Sequence, residues 1–77
     1  MNERRKEIVA LEIKDCLRSK FPQWHKAEEI WSFIHHENHR SKIRFEEIKK
    51  VLPEISARNN DSHKPVVKEG DWYKWNS

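Results

Sequence analysis

The sequence predicts a single α+β domain, three amphipathic helices followed by a C-terminal β-hairpin. Three observations predict it. Apolar residues recur at helical spacing over three separate stretches before residue 56. Residues 64–76 are β-prone instead, with Val66-Val67 on one side and Trp72-Tyr73-Lys74-Trp75 on the other. Gly70, the one glycine of the chain, stands between those runs. Two-residue hairpin turns require positive φ, which glycine adopts without steric cost.

Residues 3–20 read as the first helix. Val9, Ala10, Ile13, Cys16 and Leu17 share one face, opposite Glu12, Lys14, Asp15 and Arg18. Ile8 and Leu11 lie off that stripe and mark a second contact, either self-association or packing under the hairpin. Pro22 biases Phe21 away from helical backbone and closes the segment. Gln23-Trp24-His25-Lys26 then reads as a short extended piece.

The second helix covers residues 27–37, with Ala27, Ile30, Trp31 and Ile34 as its stripe and Phe33 on the edge. Glu28 and Glu29 fall in its first turn, where the helix dipole favours negative charge. Residues 38–42 are a polar break. The third helix covers residues 44–55, with Phe45, Ile48, Val51, Leu52 and Ile55 on one narrow face, and Pro53 is expected to kink it or stop it early. Residues 56–63 read as a loop by composition.

A chain of 77 residues allows one domain and a small interior. Large rings suit such an interior, because each buries much area. On that argument both Trp72 and Trp75 belong to the core. Strand alternation sets Trp72 with Lys74 and Tyr73 with Trp75, which offers Trp72 an exposed alternative beside lysines. There it would stack on sugar or base, or anchor a protein partner.

The single Cys16 forms no internal disulfide and sits on the apolar stripe, as expected of an intracellular, cytoplasmic protein. No apolar run reaches the length of a membrane span. The five histidines read as solvated surface residues: His36 occupies the position where a metallohydrolase helix needs glutamate, and no second cysteine supports structural zinc. One glycine excludes a Gly-rich phosphate loop, and no serine or histidine falls in a nucleophile motif. We therefore expect no enzyme, no metal and no cofactor.

Helix, short strand, helix, polar break, helix and hairpin is an order that resembles the winged helix-turn-helix superfamily. Glu28-Glu29-Ile30-Trp31 opens the second helix, Phe45-Glu46-Glu47-Ile48 lies in the third, and residues 67–73 form the wing. The resemblance implies a DNA-binding fold, whose third helix enters the major groove while the wing touches phosphate or the minor groove. Charge supplies candidate contacts. The net charge is +3, and residues 40–50 carry five bases against two acids. Arg40, Lys42 and Arg44 cluster at the entry to the third helix, followed by Lys49 and Lys50. Arg58 precedes the hairpin, and Lys64, Lys68, Trp72 and Lys74 lie in it. Asn59 and Asn60 are candidate hydrogen-bonders, with turn formation as their other use.

The expected function is a small duplex-DNA-binding protein that regulates transcription or replication. The rival expectation is a protein-interaction module that keeps the fold and docks on a partner without DNA. Glu46, Glu47 and Glu54, set among Lys49 and Lys50, favour the rival, because three acids on that helix face repel a polyanion.

Overall fold

A computed structural model describes residues 2–37, 42–58 and 64–76, the side chain of Arg58 excepted. The element order is α1 (Glu3–Ser19), β1 (His25–Lys26), α2 (Ala27–Glu37), α3 (Phe45–Ile55), β2 (Ser56–Arg58), β3 (Val66–Glu69) and β4 (Trp72–Trp75). The result is a small α+β domain with three helices and a four-stranded sheet.

Each helix forms where its periodicity sets it. Asn2 caps α1, its Oδ1 accepting from the backbone N–H of Arg5 at 2.7 Å, which satisfies a donor the helix itself leaves free. The helix ends at Ser19, just before the Phe21–Pro22 peptide. Arg44 is the residue before α3, and Glu47 Oε1 reaches back to accept from its N–H at 2.9 Å. Pro53 does not stop α3, which continues to Ile55. Proline withdraws the N–H that would meet the carbonyl of Lys49. Both residues are exposed.

The core is the expected stripes closed over one face of the sheet. Val9, Ile13, Cys16 and Leu17 of α1 meet Ile30 and Ile34 of α2, Ile48, Val51 and Leu52 of α3, and Val66 and Tyr73 of the hairpin. Ile43, in the stretch between α2 and α3, is buried as well, and its carbonyl accepts from Trp31 Nε1 at 3.0 Å. Residues 38–41 of the expected polar break lie outside the described residues.

The strand order is β1-β4-β3-β2. β4 pairs antiparallel with both β1 and β3, so the hairpin is tied to the residues that open α2. Glu69 opposes Trp72, leaving Gly70 and Asp71 as a two-residue turn with Gly70 at φ 62. Positive φ at the first central residue alone is the pattern of a type II′ turn.

Two expectations are corrected. Residues 56–63 do not begin as a loop: Ser56–Arg58 leaves α3 directly as a strand and pairs in parallel with β3. Their composition carries no β signal, and the strand exists because backbone groups at the sheet edge find partners there. Asn59, Asn60 and His63 lie outside the described residues. Trp72 does not belong to the core; it is 42% exposed, whereas Tyr73 is buried and Trp75 packs against the core. Aliphatic side chains with Tyr73 fill the interior, and alternation turns Trp72 to the opposite sheet face.

Candidate functional site

At the start of α3, the side chains of Arg5, Lys42, Arg44, Glu46, Glu47 and Lys50 line a concavity of about 560 Å³. Lys42, Arg44 and Lys50 are expected cations, all three exposed. Arg5 comes from α1 and was not anticipated. Its guanidinium grips the Glu47 carboxylate with both arms, Nε to Oε2 at 2.6 Å and Nη2 to Oε1 at 3.0 Å. Nη2 also donates to the Lys42 carbonyl at 3.2 Å, which ties α1 to the entry of α3.

That grip changes the electrostatics of the helix face. The hydrogen bonds from Arg5, with further help from the Arg44 N–H and both positive charges, hold the Glu47 carboxyl down at about 2, and the same pairing raises Arg5. Glu54 is matched in the same way by Lys6 of α1 at 3.1 Å. Two of the three acids that argued against a polyanion are thus engaged with α1. Lys42, Arg44 and Lys50 remain directed at the concavity beside the amide end of a helix, where partial positive charge accumulates.

Lys42 takes a left-handed backbone conformation, φ 51. Lysine is strained there relative to glycine. The strain turns the chain sharply into Ile43, whose side chain is buried while Lys42 stays outside.

Lys49 occupies the next surface. Its ammonium sits 5.5 Å from the Phe45 ring centroid. Lys49 and Phe45, with Lys26 and Glu28 from the β1–α2 junction and Asp71 from the hairpin turn, line a second concavity of about 340 Å³. The turn of the hairpin and the exposed side of α3 therefore share a surface.

The remaining expected residues do not converge there. Trp72 and Lys74 lie on the outer face of the sheet. The Lys74 ammonium is 4.8 Å from the Trp24 ring centroid, and Lys26 is 5.1 Å from that of Trp72. Lys68 opposes Tyr73 on the helix-facing side and lies over its ring at 5.9 Å, half-buried. Lys64 sits at the far end of α3, where its Nζ donates to the Glu54 carbonyl at 3.0 Å. An 11-residue helix is roughly 16 Å long, so Lys64 closes the end opposite Arg44. Arg40 and the Arg58 side chain lie outside the described residues.

The other titratable features are structural. Burial pushes the Cys16 thiol up to about 11, so it stays protonated and unreactive at neutral pH. His25, expected as a solvated surface residue, is instead buried because it alternates inward with Tyr73 across the β1–β4 pair; neither ring nitrogen has a hydrogen bond, the ring is edge-on to Phe33 at 5.1 Å, and Nδ1 is 3.9 Å from Glu29. Among the described residues, no helix is long and apolar enough to cross a membrane. Comparison with protein-family models, curated proteins and solved structures gives no match to this chain.

Proposed function

We propose that this chain is a winged-helix domain that binds duplex DNA, gripping phosphates through the start of α3 and the hairpin turn, as a small regulator of transcription or replication inside the cell. The observation that supports this most is the cationic concavity at the start of α3. Lys42, Arg44 and Lys50 are presented there while Arg5 neutralises Glu47. The second support is the common surface of Lys49, Lys26 and the hairpin turn, which is where a wing would stand beside a recognition helix. Lys64 and Lys68 drop out as contacts in this reading, since one binds the end of α3 and the other leans on Tyr73.

Phosphate neutralisation releases condensed counterions, so affinity falls with salt at a slope of about 0.9 per phosphate contacted. The test is fluorescence anisotropy of a labelled random-sequence duplex, repeated from about 50 to 200 mM salt. The Lys42→Gln/Arg44→Gln double variant is expected to weaken binding to all sequences and to flatten the slope by about two. Unchanged affinity and slope would place the DNA surface elsewhere.

A second reading has its own observation. Ile8 and Leu11, three residues apart on α1, are 44% and 54% exposed. They give the protein-interaction module, or self-association through α1, an apolar contact. An absence of mobility shift with duplex DNA near 50 mM salt, where electrostatic binding is strong, favours that module.

A further inference from the structure

The outer face of the sheet carries a pattern of which the duplex reading uses only Lys26. Lys26 opposes Trp72 across the β1–β4 pair, and the same register sets Trp24 opposite Lys74. Two tryptophans and two lysines therefore alternate as a checkerboard, each ammonium over the ring across from it, at 5.1 Å and 4.8 Å. Trp24 and Trp72, with Glu69, line a concavity of about 350 Å³.

We propose that this face is a stacking site for an unpaired nucleobase, with Trp24 and Trp72 as the stacking surfaces and Lys26 and Lys74 holding the flanking phosphates. The charge pattern selects this occupant. Two cations flank the concavity, as an anionic backbone requires, whereas Glu69 inside it disfavours a phosphate and accepts from the exocyclic amine of a base. Aromatic stacking with lysine along the strand is the general chemistry of single-strand binding. The inference rests on nucleic acid being the partner, but it uses a surface other than the start of α3.

The experiment is anisotropy of labelled single-stranded hexadeoxycytidylate, whose bases carry an exocyclic amine, and of a labelled duplex, each against the full chain at about 50 mM salt. Trp72→Ala is expected to weaken single-strand binding by about fivefold or more while duplex binding stays within about twofold. Trp72→Phe, which retains a ring, should recover most of the loss and controls for folding. Lys26→Gln/Lys74→Gln should flatten the single-strand salt slope by about 1.4, two contacts at 0.7 each. Lys42→Gln/Arg44→Gln should leave single-strand binding intact. Single-strand binding that persists where duplex binding is undetectable supports the sheet site and removes the α3 reading. No single-strand binding by the wild type, or equal losses in Trp72→Ala and Lys42→Gln/Arg44→Gln, overturns the proposal.

Discussion

Glu47 joins three parts of the molecule through one carboxylate: Arg5 of α1, the N–H of Arg44, and the turn of α3 it belongs to. Its carboxyl is held near 2 rather than 4.5 in the folded state. A lowered folded pKa means the unfolded chain binds the proton first, so the stabilisation is complete above about pH 4.5 and is lost as pH falls toward 2. Glu47→Gln should cost about 1–2 kcal/mol at pH 7, the range for a partly exposed pair with charge-assisted hydrogen bonds. Urea melts across pH should show wild type and variant converging near pH 2, and a gap constant with pH would contradict the role given to Arg5. None of this was visible in the sequence, where Glu47 stands with Glu46 as an acid of the helix face. Its partner is 42 residues away, and only tertiary packing brings the two together. His25 is a second case: a buried imidazole whose nitrogens have no hydrogen-bond partner. Such a group costs roughly 1–3 kcal/mol, and His25→Phe should be neutral or stabilising in thermal unfolding.

At the scale of elements, the helices and the edge strand β1 were legible, and the other edge strand, β2, was not. The stripes of α1, α2 and α3 appear in the sequence because periodicity is a property of the segment itself. The hairpin was legible for a similar reason: Gly70 holds φ 62, and two β-prone runs flank it. Nothing lies within 4 Å of where a Cβ would stand on Gly70, so the cost of Gly70→Ala is purely conformational. We expect a loss of about 1–2 kcal/mol by denaturant melts, with the native sheet retained. The strand Ser56–Arg58 escaped notice because a parallel edge strand draws its stability from β3, and its own residues say little. Pro53 gives a prediction of opposite sign. Restoring an N–H to the ladder by Pro53→Ala should stabilise α3 by about 1–3 kcal/mol. A loss of stability there would mean the ring makes contacts that matter more than the bond it forgoes.

For the whole molecule, the interior is small and already filled by aliphatic stripes with Tyr73, so two tryptophans, Trp24 and Trp72, line the outer sheet face beside lysines. The candidate cations read from the sequence separate in three dimensions. Lys42, Arg44 and Lys50 meet at one concavity, Lys49 faces the hairpin turn, and Lys64 caps the far end of α3. Lys42, Arg44 and Lys50 of the expected group share one short stretch of chain and so meet, while Lys49 parts from them. Sequence proximity failed for the hairpin lysines, whose positions depend on which sheet face each strand residue takes. Backbone chemical-shift mapping against an unlabelled random-sequence duplex reads both surfaces at once and tests the central claim most directly. The account predicts perturbations concentrated at residues 42–50 and 70–71, weakening as salt rises. Shifts confined to the exposed Ile8 and Leu11 side of α1, or no shifts at low salt, would contradict it.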